Sequence, residues 1–336
     1  MLSSRWKKFK RSIGNGNTAA RRIAIIVTIV LLAIMAVLMY HSEQNRKEEQ
    51  ELLLQKNEEH WDERVRIKNE KKERLARYTI YDKLQKEENI RVLILGDEIA
   101  AQRGKEYSNT GWWDLLESAW KREYKAKLNR NDHTAYGTNV FQWLYAYQQM
   151  DEKEKKFDIA FVSLGYNDEQ EFTIDQFSQC YETLIRQMRT ENPRGEIVLM
   201  IANCMKEEAF TNAIRDLSEY YNLVCLDMIE GFEKCELNVE ELTNDGFYPN
   251  NDGHREYYNC IQELLKDNIK DDKEISDKLP KARLNMGSGQ FEKLTLIPLA
   301  ELKKVSDTTY KYETDADVVG VSYMTEVDYG ENLLHT

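Results

Sequence analysis

The sequence predicts an α/β domain with a parallel sheet covered on both faces, preceded by one transmembrane helix and a charged helical stalk. Three observations predict it. Between about residues 89 and 270, short apolar runs alternate with amphipathic stretches of helical length. Upstream lies an uncharged run, Ile23 to Tyr40, behind a leader rich in Lys and Arg. Between the two, residues 41–88 are mostly Glu, Lys, Arg and Gln, without proline or glycine.

The leader, residues 1–22, holds Arg5, Lys7, Lys8, Lys10, Arg11, Arg21 and Arg22 and no acidic side chain. Residues 23–40 follow as 18 uncharged positions, close to the ~20 apolar residues that cross a bilayer. The run ends in Leu38-Met39-Tyr40-His41-Ser42, which lacks the small-x-small pattern of a signal-peptidase site, so an uncleaved anchor is expected. The basic excess before the span places the N-terminus in the cytoplasm and residues 41–336 outside a cell membrane crossed once. Residues 41–88 are strong helix formers with i,i+4 charge pairs, and their apolar positions do not hold a heptad over three repeats. A solvated stalk is expected, with a dimeric coiled coil as the alternative.

Composition bounds the rest. With 41% hydrophobic and 32% charged residues the chain is too apolar to be wholly disordered. Four prolines and 15 glycines exclude collagen-like and proline-rich classes. Five scattered cysteines (Cys180, Cys204, Cys225, Cys235, Cys260) do not make a disulfide scaffold and read as free thiols. The acidic balance, a net charge of −12, argues against nucleic acid as a partner.

Within residues 89–270 the strands read as Ile90–Leu95, Asp158–Leu164, Glu196–Ala202 and Leu223–Asp227, with Lys125–Asn129 a weaker fifth. The helices read as Trp112–Lys121, Val140–Met150, Ile174–Thr190, Lys206–Tyr221 and Gly253–Ile269. Parallel sheets place their sites beyond the carboxyl ends of the strands. The residues there are Gly96-Asp97-Glu98, Gly165-Tyr166-Asn167-Asp168 and, downstream, Asp245-Gly246-Phe247-Tyr248-Pro249-Asn250-Asn251-Asp252-Gly253-His254.

These three blocks, in this order and setting, resemble the SGNH/GDSL hydrolase family over roughly residues 89–270. The family carries Gly-Asp-Ser after the first strand, a glycine in a second block, Gly-x-Asn-Asp after a middle strand and Asp-x-x-His-Pro near the last helix. The resemblance implies a flavodoxin-like three-layer α/β/α domain with esterase or acylhydrolase ancestry. No cofactor or metal is expected, Asp97, Glu98, Asp168 and Asp245 reading as solvated loop carboxylates, with a divalent cation held by the four as the alternative. The resemblance places Gly137 and Asn167 as oxyanion-hole-like donors and Asp245 as the residue that would orient the catalytic base. Two positions depart from it. Glu98 stands where the family has its serine nucleophile, and Tyr248 where it has the histidine base.

Those departures oppose hydrolysis. Acyl transfer needs an activated hydroxyl or thiol with a base in reach. A carboxylate beside the oxyanion hole repels the charge that develops there, and a phenol of pKa about 10 is a poor proton acceptor near neutrality. The expectation is therefore a catalytically degenerate domain that binds or scaffolds at the cell envelope, towards an acylated cell-surface glycan or an envelope assembly protein. The alternative is an active carbohydrate esterase or acyltransferase with an unorthodox site; a purely structural spacer is the third reading. Glu98 and Tyr248 are expected to face each other, the phenol able to donate to the carboxylate. A helix cap for Glu98, loop pinning for Asn167, a helix-start hydrogen bond for His254 and core packing for Trp112 and Trp113 are the bland readings. Residues 271–336 open with a charged linker and carry β segments at Phe291–Leu296, Thr309–Glu313 and Val318–Val327, which either pack on the main domain or belong to an incomplete β-sandwich.

Overall fold

The computed structural model describes residues 18–283, 291–307, 309–315 and 319–320. It divides into two units, residues 1–75 and 76–336. In the first, helix α1 (Thr18–Ala76) runs unbroken for 59 residues, about 88 Å at 1.5 Å per residue. Its apolar stretch is long enough to cross a membrane and none of it is buried in protein. Beyond it the helix is laced with exposed pairs such as Lys47–Glu43 and Arg66–Glu70.

The second unit holds a five-stranded sheet of order β2-β1-β3-β4-β5, parallel throughout. The strands are β1 (Asn89–Gly96), β2 (Lys127–Thr134), β3 (Ile159–Ser163), β4 (Glu196–Ile201) and β5 (Val224–Asp227). β3 and β4 are buried at every position, which is why they are continuous apolar runs. One helical layer has α3 (Trp112–Glu123) packed on α10 (Asn251–Lys270); the other has α4 (Val140–Gln149) on α6 (Ile174–Glu191) and α6 on α7 (Glu208–Tyr220). Short helices α2 (Ile80–Gln85), α5 (Asp168–Glu171), α8 (Met228–Lys234) and α9 (Val239–Leu242) complete the unit. This is the expected three-layer fold.

Strand order reverses between β1 and β3, which makes the carboxyl ends of these two strands the natural site. Gly96 closes β1 there with φ +145°, and a Cβ on it would stand 2.1 Å from the Ser163 carbonyl oxygen. Only glycine lets the two strand ends approach this closely.

Three boundaries differ from the sequence reading. Residues assigned to the stalk before Glu88 belong to the domain: Ile80 and Leu84 are buried, Lys83 makes a buried ion pair with Asp158 at 2.9 Å, and the Tyr81 hydroxyl donates to Glu196 at 2.7 Å. β2 extends to Thr134, beyond the expected end at Asn129. In the tail, residues 291–296 form no strand. Phe291 instead buries against Phe141, and the Gln148 amide donates to the carbonyls of Phe291 and Glu292. A pair of two-residue strands, β6 (Lys303–Lys304) and β7 (Tyr310–Lys311), is the β structure among the described tail residues. Of the third expected segment, residues 318 and 321–327 lie outside the described residues.

Candidate functional site

The loop after β1 carries Asp97 and Glu98, both buried. Asp97 accepts from the Ile99 amide at 3.0 Å and the Ser163 hydroxyl at 3.1 Å, locking the turn to β3. Burial, then the neighbouring Glu98, push the Asp97 carboxyl up to about 7.

Glu98 is only 4% exposed, and its two oxygens are separately bound. Oε1 accepts from the Gly137 amide at 2.9 Å, and Oε2 accepts from the Asn167 side-chain amide at 3.0 Å. Gly137 offers its N–H from a left-handed turn, φ +67°, in the loop after β2. Asn167, in the loop after β3, also donates to the Thr138 carbonyl at 3.0 Å, tying that loop to its neighbour. Arg103 adds a guanidinium nitrogen 3.9 Å from Oε1. Thus Glu98, Gly137 and Asn167 meet at the strand ends, and the carboxylate accepts from both neighbours. Glu98 does not cap a helix.

Asp168 supports this arrangement. Fully buried, it accepts from the Val140 amide at 2.9 Å and the Gly165 amide at 3.0 Å, and so fastens the end of β3 to the start of α4. Burial pushes its carboxyl up to about 7.

The expected bond from Tyr248 to Glu98 is not formed. Arg103 intervenes: its guanidinium lies 4.0 Å from the Tyr248 ring centroid and 5.3 Å from that of Tyr136 while its nitrogen faces Glu98. The Tyr248 hydroxyl interacts with that of Tyr166, whose ring packs edge-on at 6.4 Å. Burial and the nearby Glu98 push the Tyr248 phenol up to about 12, further from a useful base. Asp245 turns to the backbone, accepting from the Phe247 and Tyr248 amides at 3.0 and 2.8 Å. It fixes the loop that carries Tyr248.

Arg103 itself was missed by motif reading, because the family blocks do not include it. Its loop is held on several sides. His254, buried in the first turn of α10, places Nε2 3.1 Å from the Arg103 carbonyl oxygen; the Asn244 side chain donates to the Gly104 carbonyl at 2.8 Å. Burial pulls the His254 imidazole down to about 4, so it is neutral and serves as a structural tie. Trp112 and Trp113 are core, and the Trp112 indole donates to the Ile99 carbonyl at 3.0 Å.

Three hydroxyl or thiol groups on the neighbouring elements are buried or already bonded. The Ser163 hydroxyl is buried on Asp97. The Thr138 hydroxyl donates to the Ala135 carbonyl and accepts from the Trp143 indole. Burial pushes the Cys204 thiol far up. Among the described residues no group of three or more His, Cys, Asp or Glu could hold a metal ion. Two surface depressions, of about 350 and 380 Å³, lie on α10 and beside α4 and α6, away from these strand ends.

Residues 94–256 match the GDSL-like Lipase/Acylhydrolase family. No curated protein matches the chain. Among solved structures, a two-domain esterase (CEX) active on acetylated mannans, co-crystallised with mannopentaose, is similar over 61% of this chain at 20% identity and TM-score 0.51. A second structure of that esterase is similar over 64% at 18% identity and TM-score 0.53. The chain spans 55% and 58% of the length of those two structures. The psychrotrophic esterase EstA from Pseudoalteromonas sp., inhibited by monoethylphosphonate, is similar over 54% of this chain and 98% of its own, at 20% identity and TM-score 0.43. At 20% and 18% identity the likeness to the two CEX structures is one of fold.

Proposed function

The chain carries, in residues 94–256, a domain of the GDSL-like lipase/acylhydrolase family, and from that premise we propose that this domain binds or scaffolds rather than hydrolyses. The observation that carries the reading is the Glu98 carboxylate seated on the Gly137 amide and the Asn167 side chain. In a working acylhydrolase those two donors would have to be open to a developing oxyanion. Here an anion already holds them, and a second would meet it at a few ångströms in a poorly screened site, a repulsion of several kcal/mol. The nucleophile and base positions hold Glu98 and Tyr248, and losing such a pair typically costs on the order of 10⁶ in rate.

The proposed setting is the cell envelope. The apolar stretch of α1 anchors the chain, the basic leader stays in the cytoplasm and the domain faces outward. The ligand class we favour is an acylated cell-surface glycan, with an envelope assembly protein as the other candidate partner. Exposed Tyr136 and Tyr107, beside the Arg103 loop, give the rim stacking surfaces suited to sugar rings.

The test is hydrolysis by the purified full chain in detergent micelles, on short acyl esters and on acetylated mannan oligosaccharides. The expected result is no release above a buffer blank. Robust turnover that Asn167→Ala abolishes would overturn the proposal in favour of an esterase with an unorthodox site.

A further inference from the structure

Cys180 and Cys204 are buried in the core, whereas Cys225, Cys235 and Cys260 are partly exposed. Cys225 lies on β5, and the other two lie on neighbouring helices. Cys235 caps the end of α8, and Cys260 lies on α10, which packs against α8. The approach is close at this point. Cys260 Sγ lies over Gly231, so near that a Cβ there would meet the sulfur at 3.2 Å. Gly231 and Cys235 are four residues apart, one turn along the same helix face. The sulfur therefore sits on the face of α8 to which Cys235 belongs. Glycine at 231 leaves room for this contact, since a Cβ there would press on the sulfur.

We propose that Cys235 and Cys260 pair as a disulfide that clamps α8 to α10. The oxidant is a low-molecular-weight disulfide such as oxidised glutathione. The Cys235 thiolate attacks one of its sulfurs and releases one glutathione thiolate. Cys260, as thiolate, then attacks the Cys235 sulfur of the mixed disulfide and releases the second. Two protein thiols give up two protons and two electrons, and one glutathione disulfide becomes two thiols. Burial and Glu256 push the Cys260 thiol up to about 12, so its attack on the mixed disulfide is the slow step. To pair, Cys260 gives up its 3.7 Å contact with Glu256. Pairing depends only on the fold; an outward orientation of the domain would supply the oxidising surroundings in which the bond persists.

The experiment equilibrates the folded full chain, in detergent micelles, with oxidised and reduced glutathione and then counts free thiols by maleimide labelling and mass. The expected outcome is two fewer thiols than the five of the reduced chain, a linked pair of peptides containing Cys235 and Cys260, and a thermal midpoint raised by about 5–10 °C. Cys260→Ser should leave Cys235 glutathionylated with no internal disulfide, and Cys235→Ser should leave Cys260 largely unmodified. All five thiols remaining free in the folded wild type, or a disulfide between any other two cysteines, would overturn the proposal. Neither result bears on ester hydrolysis, so the clamp and the proposed function stand or fall separately.

Discussion

Replacing Asn167 by alanine removes one of the two donors to a buried carboxylate, and its cost can be worked out. The lost bond to Glu98 Oε2, 3.0 Å long, has a charged acceptor and is worth roughly 1.5–3 kcal/mol. The bond to the Thr138 carbonyl, also 3.0 Å, adds about 1 kcal/mol. Together they predict a loss near 2.5–4 kcal/mol, or about 5–15 °C in thermal midpoint for a domain of this size. With Glu98→Ala already in place, only the Thr138 bond remains to be lost, and Asn167→Ala should then cost about 1 kcal/mol. Urea unfolding of the wild type, both single variants and the double variant closes the cycle. The expected coupling is about 1.5–3 kcal/mol. A coupling below about 0.5 kcal/mol would mean that Asn167 and Glu98 do not hold each other, and the reasoning about a filled donor pair would fail.

Four further outcomes follow from the same geometry. Gly96→Ala should destabilise by about 3 kcal/mol or more, because it forces a Cβ against the Ser163 carbonyl at a positive φ; a small change in urea midpoint would contradict the strand-end packing. The combined change Glu98→Ser, Arg103→Ala and Tyr248→His should release acetate from a chromogenic ester faster than Glu98→Ser alone, since it frees both donors and clears the guanidinium between a new hydroxyl and a new base; no release by either variant would argue against the role given to Gly137 and Asn167. His254 is held neutral down to about 4, while the unfolded imidazole titrates near 6.5. Its contribution to stability is therefore present above about pH 6.5 and lost as pH falls towards 4. The stability gap between wild type and His254→Gln should shrink over that window, and a gap constant with pH would remove histidine protonation as its cause. Protease added to spheroplasts should digest the chain beyond residue 41, and full protection would reverse the proposed topology.

How much of this was legible in the sequence follows from burial. β1, β3, β4 and β5 announced themselves because parallel strands covered on both sides are nearly all apolar. β2 showed only weakly and ended too early, since it is an edge strand reading Lys-Leu-Asn-Arg-Asn-Asp-His-Thr with no buried side chain. The five longer helices of the domain were visible to within a few residues through their apolar faces. α2 was hidden by composition, because Tyr78 to Gln85 continues the charged character of the preceding helix while Ile80, Tyr81, Lys83 and Leu84 turn inward. Glu98, Gly137 and Asn167 were brought together by their places after successive strands. Arg103 was not foreseeable from spacing. Its role depends on a loop held by Asn244 and His254, more than 100 residues downstream, and it is Arg103 that separates Glu98 from Tyr248.

The most direct test of the central claim, that Glu98 fills the oxyanion donors and no activated nucleophile remains, is intact-mass measurement after exposure of the full chain to a fluorophosphonate. Such a reagent phosphonylates an activated hydroxyl held beside a working oxyanion hole. The account predicts that the wild-type chain keeps its unmodified mass, with no adduct on any serine or threonine. A single phosphonyl group per chain, located at a hydroxyl near Gly137 and Asn167 and lost in Asn167→Ala, would contradict it.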